Sequence, residues 1–584
     1  MSRTSNYDKL PTIHSGDEKD CLKEWDEIGN ALLAGLPDSG GVICVECYPG
    51  AFVDRIEKSL RRVLAPGDVI RTSELLKDTD EIRDLVSPYL GSDPVFGRMN
   101  GITIQDYFDP VRLESARRQI ESNRALRLLI IGVGASLLCD RPALIVYVDM
   151  ARWEIQQRWR RKEIGNLGLD NLDDTIGVKY KCGFFVEWRA ADRLKKILLP
   201  RLNFLLDTND PSIPKMIAGD VFRRALRSAS QRPFRVVPYF DPGPWGGHWI
   251  EDICDLPRDR PNYAWGFDCV PEENSLLLGF GNTRVEVPSI DLVFAHPHEL
   301  LGESVHARFG TEFPIRFDFL DTMGGGNLSL QVHPLTEYIQ DKFGMHYTQD
   351  ESYYLLDAGK DATVYLGLLD SARPAELLRD LRKAQEGDFD FPAERYVNIF
   401  PARKHDHFLI PAGTIHCSGK NSMVLEISAT PYIFTFKLWD WGRVGLDGEP
   451  RPIHIDHGEV NIQWDRTTAW VQNNLVDRIA PISSGDGWTE ERTGLHEREF
   501  IETRRHWFRS PVPHNTNGTV NVLNLVEGDE AIVESPTSAF EPFVVHYAET
   551  FIVPAAVGAY TIRPHGQSIG KQCGTIKAFV RSNA

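Results

Sequence analysis

The sequence predicts a multidomain fold: an N-terminal α/β domain followed by two antiparallel β-barrel domains, the first carrying a helical insertion. Three observations predict it. At 584 residues the chain is too long for one core and suits three or four units of about 150 residues. Up to about residue 225, short apolar runs alternate with helix-like segments. From about Arg235 the texture changes to aromatic-rich short strands punctuated by Gly and Pro. With the boundary at 225–235, the expected domains are 1–230, 231–475 and 476–584.

In chain order, "GVICVEC", "RLLIIGVGASLL" and "ALIVYVDM" read as buried parallel strands, because runs with no polar face need cover on both sides. "AFVDRIEKSLRRVL" and "DPVRLESARRQIESN" read as the helices between them. Past the boundary, "FRVVPYF", "IRFDFLDT", "LSLQVHP", "SYYLLDA", "ATVYLGL", "HFLIPAG", "SMVLEIS" and "YIFTFKLWDW" read as barrel strands. The piece from Ala375 to Gln385, within about 371–390, is the helical insertion. "HFLIPAGTIH" (407–416) is answered by "TFIVPAAVGAY" (550–560), and aligning Pro411 with Pro554 sets Ala559 against His416. The echo predicts two related barrels, only the first keeping its polar residue.

Composition narrows the function classes. Apolar content of 42% and charged content of 25% are those of a globular chain. The net charge of −18 argues against nucleic acid as a partner, since a phosphate backbone is held by clustered Lys and Arg. No signal-like leader and no run of about 18 apolar residues is present, so no membrane partner is expected. Nine scattered cysteines fit a reducing cytoplasm. Cys44 and Cys47 have CxxC spacing, but they sit inside an apolar strand and no second pair accompanies them.

The stretch "NLSLQVHPLTEYIQ" places Gln331 and His333 two positions apart, on one face of a strand that stops at Pro334. Glu351 opens "ESYYLLDA", where an inward carboxylate needs a partner, and His416 follows the turn "PAGT". Two imidazoles, a carboxylate and an amide oxygen make a shell for one divalent ion, with zinc favoured by the histidines.

These segments resemble the type I mannose-6-phosphate isomerases, zinc enzymes of the cupin, or jelly-roll, fold. The resemblance runs through "VVPYFDPGPWGGHWIEDI", "FPIRFDFLDTMGGGNLSLQVHP", "HFLIPAGTIH" and "FKLWDWGRVGLDGEPRPIHI", and "ETFIVPAAVGAYTI" extends it to about residue 575. It implies one Zn²⁺ held by Gln331, His333, Glu351 and His416, a sugar-phosphate substrate, and catalytic roles for Glu426, Lys437 and Arg443. Glu426 is the leading candidate for the base, and Lys437 steadies developing charge. The sequence departs from the family twice: Lys437 stands where an arginine is expected, and Gln349 where a lysine is usual. Arg316, Arg443 and Arg451 are the candidates to bind substrate in compensation. The alternatives are a non-catalytic sugar-phosphate-binding cupin and an isomerase of an unphosphorylated aldose.

The N-terminal domain resembles P-loop kinases of the uridine kinase type, with "GVICVECYPGAFVDRIEKSL" at the phosphate-loop position. The loop reads Tyr48-Pro49-Gly50-Ala51, without the phosphate-binding lysine and with a proline that removes a backbone donor. The expectation is a kinase fold without kinase chemistry. Arg158, Arg160, Arg161 and Lys162 form a basic run whose ordinary reading is a solvated helix face.

Overall fold

The computed structural model describes residues 5–123, 127–387, 389–430, 432–494, 496 and 498–581. The chain forms two units, one of Thr12–Ala229 with Ser275–His296 and the other of Met1–Pro11, Ser230–Asn274 and Pro297–Ala584.

In the first unit the strand Gly41–Cys47 is central, paired in parallel with Arg127–Gly132 on one side and Leu144–Asp149 on the other. Asp68–Arg71 extends the sheet beyond Arg127–Gly132, and Phe204–Asp207 extends it beyond Leu144–Asp149, both parallel. Lys215–Ala218 and Cys21–Leu22 complete the seven strands in antiparallel pairing. Ile56, Leu60 and Leu64, at four-residue spacing on the helix Val53–Leu64, line one stripe and bury against Ile43, Val45, Leu129 and Val146. Each such side chain contributes about 1.5–3 kcal/mol when fully buried. Cys44 and Cys47 both lie buried in the central strand, and no disulfide forms among the described residues.

The carboxyl ends of Gly41–Cys47 and Leu144–Asp149 flank the point where strand order reverses, where open α/β sheets have their crevice. Here it is filled from within. Lys195 Nζ lies 2.8 Å from Asp149 Oδ1 and 2.9 Å from Asp291 Oδ1, and 4.4 Å above the Tyr48 ring. Tyr48 donates to Asp192, which also pairs with Arg152 at 2.6 Å. Arg158 departs from the solvated face expected of its run. It is fully buried, donates to the carbonyls of Gly50, Thr208 and Asn209, and stacks on Phe52.

The second unit contains two pairs of antiparallel sheets. In the first pair, six strands run in the order His407–Ile410, Glu351–Ala358, Ser422–Ser428, Arg316–Asp321, Trp265–Cys269, Tyr239–Asp241. The five facing strands are Val397–Pro401, Thr363–Leu368, His416–Ser418, Leu330–Val332 and Phe436–Trp439. The helix Pro374–Gln385 interrupts the chain between the strands Thr363–Leu368 and Val397–Pro401. The second pair has six strands, from Ala480–Gly485 to Thr550–Val553, and four, including Val512–Asn515 and Ala559–Pro564. Its interior is apolar at Phe508, Leu523, Leu525, Phe551 and Ile562. No described helix is long and apolar enough to cross a membrane.

Candidate metal centre

Backbone register brings the polar residues of the first sheet pair together. Gln331 stands opposite His416 on one neighbouring strand and opposite Lys437 on the other, so all three side chains share a face. His333 lies just past the strand Leu330–Val332, and its carbonyl accepts from Gly413 N at 3.0 Å. Gly413 has φ +87°, and a Cβ there would come within 2.8 Å of Asn461 O. Only glycine makes the "PAGT" turn that delivers His416 to its place.

Glu351, heading the facing sheet's strand, reaches both imidazoles. Its Oε1 lies 2.8 Å from His416 Nε2 and its Oε2 3.1 Å from His333 Nε2. Gln331 Nε2 is 3.1 Å from His416 Nε2. Among the described residues, His333, Glu351 and His416 are the one set of three whose ligand atoms lie within 4.8 Å of one another.

The tautomers decide what this cluster is suited to. His333 Nδ1 donates to Phe434 O at 2.8 Å and His416 Nδ1 to Thr414 O at 2.9 Å. In the neutral rings both Nε2 atoms carry lone pairs that face carboxylate oxygens, with the Gln331 amide also at His416 Nε2, an arrangement that calls for a positive charge there, either a bound cation or a proton on an imidazole. Two imidazole nitrogens, a carboxylate and a neighbouring amide match the donor set of a divalent transition ion, with each histidine oriented by a carbonyl behind it. Burial by itself would raise the Glu351 carboxyl, but the two imidazoles, when they carry the proton, hold it well below the usual carboxylate range.

One rung further in, Glu426 lies directly between Tyr353 and Asp318 across the strands. Burial and the neighbouring Asp318 and Glu351 push its pKa well up, against the pull of Arg316. Arg316 is buried, 3.1 Å from Asp318 Oδ1, and its Nη1 has no hydrogen-bond partner among the described residues. Lys437 is pushed down to about 7 by burial and by Arg451 and Arg443, with Asp440 opposing. Arg443 and Arg451 share Asp440, at 2.6 and 2.8 Å. Reasoning from sequence singled out neither Asp318 nor Asp440. Their signal was present as alternate positions in "IRFDFLD" and as the acid ending "FKLWD".

A domain family of unknown function, DUF8485, matches residues 24–231. Mannose-6-phosphate isomerase ManA of Bacillus subtilis (strain 168) is 27% identical over 224 residues, 38% of this chain and 65% of its own length. The mannose-6-phosphate isomerase of Streptococcus mutans serotype c (strain ATCC 700610 / UA159) is 27% identical over 246 residues, 41% of this chain and 72% of its own. The putative mannose-6-phosphate isomerase YvyI of Bacillus subtilis is 24% identical over 352 residues, 57% of this chain and 96% of its own. The chain thus spans just under two thirds of the first relative. Among solved structures, the mannose 6-phosphate isomerase of Bacillus subtilis aligns with 60% of this chain and 99% of its own at 18% identity and TM-score 0.49. A zinc-bound mannose 6-phosphate isomerase aligns with 60% of this chain and 100% of its own at 14% identity and TM-score 0.45. Over up to 57% of its length the chain is homologous to mannose-6-phosphate isomerases.

Proposed function

We propose that this chain is a zinc-dependent aldose–ketose isomerase that interconverts mannose 6-phosphate and fructose 6-phosphate. The observation that carries the reading is the convergence of His333 Nε2 and His416 Nε2 on Glu351, with each ring's Nδ1 held by a backbone carbonyl. Gln331 would complete the shell through its amide oxygen. A divalent ion bound there would supply polarisation of the sugar carbonyl.

The chain's own side chains would do the rest. Isomerisation moves a proton between C1 and C2, so the acid–base group must both take and return one near neutral pH. Glu426 suits this because its pKa is raised far above that of an exposed carboxyl. Lys437, on the same face as Gln331, would steady negative charge on the substrate. Arg443 and Arg451 would meet the phosphate, with Asp440 holding them in place and Arg316 fixing Asp318 beneath Glu426. A coupled assay for fructose 6-phosphate on metal-analysed protein tests substrate, reaction and ion together. Absence of turnover with one zinc bound would refute it.

The sharing of Asp440 by Arg443 and Arg451 favours a second reading, an isomerase of an unphosphorylated aldose, because one carboxylate offsets part of their charge. Turnover of mannose at or above that of mannose 6-phosphate would select it. A sugar-phosphate-binding protein without catalysis would show binding and no turnover on added zinc.

For the α/β unit we infer a P-loop-type fold without kinase chemistry. The central position of Gly41–Cys47 and the filling of the crevice by Tyr48 and Lys195 support this reading. ATP consumption by the full chain would contradict it.

A further inference from the structure

Phe434 uses both ends of its backbone on the metal centre. Its carbonyl accepts from His333 Nδ1 at 2.8 Å, and its N–H donates to Gln349 Oε1 at 2.9 Å. Gln349 Nε2 then donates to Glu351 Oε2 at 3.0 Å and reaches Glu426 Oε1 at 3.5 Å. Because Glu351 Oε2 also lies 3.1 Å from His333 Nε2, the contacts close into a ring through His333, Phe434, Gln349 and Glu351.

The ring fits only an amide at position 349. The acceptor end is pinned by an N–H, so the amide cannot flip, and the donor end must face the two carboxylates. A lysine could donate there but could not accept from Phe434 N. A glutamate could accept but would set a third negative charge against Glu351 and Glu426. With Gln349 only 2% exposed, bulk water is poorly placed to replace a lost partner.

We propose that Gln349 is a positioning residue that holds Glu351 in its metal-binding orientation and ties Glu426 to the metal shell. The inference rests on the zinc reading above. It goes beyond that reading by giving a structural role to the residue that departs from the family. Partners behind a metal ligand are worth about 10–100-fold in metal affinity. Gln349→Met keeps the length of the side chain and removes both amide ends.

The test is zinc affinity of the full-length chain, measured by competition with a chromogenic chelator, alongside zinc-free thermal unfolding. Gln349→Met should bind zinc about 10–100-fold more weakly than the native chain, while the zinc-free variant still unfolds cooperatively at a temperature lowered by the loss of the Phe434 N–H acceptor. At saturating zinc its kcat should fall while KM for the sugar holds, because Glu426 has lost its tether. If Gln349→Met does not fold, Gln349→Asn carries the test, since it retains the amide but falls one methylene short of the carboxylates. Unchanged affinity in a folded variant overturns the inference and leaves the isomerase reading standing. No zinc binding by the native chain overturns both.

Discussion

Lys437 stands directly across the β-ladder from Gln331, so a side chain with a pKa of about 7 shares a face with a candidate metal ligand. Burial and two neighbouring arginines disfavour its charge, and an arriving anion would restore it.

That relationship gives the first prediction. The Lys437 ammonium is charged below about pH 7 and lost above it, so activity on an anionic sugar should decline as pH rises through that value. Lys437→Arg keeps the charge at all these pH values and should be as active as the native chain or more so, with a flatter alkaline limb. Lys437→Met should lose about 10–100-fold in kcat/KM, the worth of a charge-assisted hydrogen bond. A pH–rate profile of the three proteins checks this.

Zinc should raise the unfolding temperature of the native chain, because a ligand that binds only the folded state adds about 4 kcal/mol at a thousand times Kd. His333→Ala should abolish that response together with metal content and isomerisation. Elemental analysis and calorimetry read the outcome directly.

Arg316→Met should destabilise the fold by about 3–5 kcal/mol, since it leaves the buried Asp318 carboxylate without its cation. Denaturant unfolding measures it. Arg316→Lys should recover only part of the loss, because an ammonium lacks the planar fork.

His407 is fully buried, and burial, with Arg505 nearby, lowers its pKa to about 3 against the opposing pull of a backbone contact at Thr493. The unfolded chain therefore binds a proton at this residue between about pH 6.5 and 3 that the folded chain does not. Its contribution is favourable to folding above that window and is progressively lost as pH falls through it. His407→Gln should show a shallower fall in unfolding temperature between pH 6 and about 4 than the native chain.

Much of the architecture was legible locally. "GVICVEC" and "ALIVYVDM" have no polar face, and only a doubly covered parallel strand can bury such runs; both are parallel neighbours in the sheet. Gln331 and His333 were legible as a pair because the strand period of two puts them on one side. Arg158 was not, since a basic run looks the same whether solvated or buried against carbonyls from distant segments.

The repeat of the barrel shows the same limit. Sequence alignment on the two prolines sets Ala559 against His416. In the folded chain, Tyr560 donates to Asn521 at 2.9 Å much as His416 meets Glu351 at 2.8 Å. Lys577 lies opposite Arg504 and Leu523, as Glu426 lies opposite Asp318 and Tyr353, so a base holds the register position that an acid holds in the first sheet pair.

Local pattern along the chain is enough for the alternation of strands and helices, the change of texture near Arg235, and the polar side chains that interrupt apolar strands. Tertiary structure alone decided that His333 and His416 expose Nε2, that Arg443 and Arg451 share one carboxylate, and that Gln349 bridges two acids. Periodicity is a local property of the chain, whereas tautomer, charge state and hydrogen-bond partner depend on groups brought together from segments far apart in sequence.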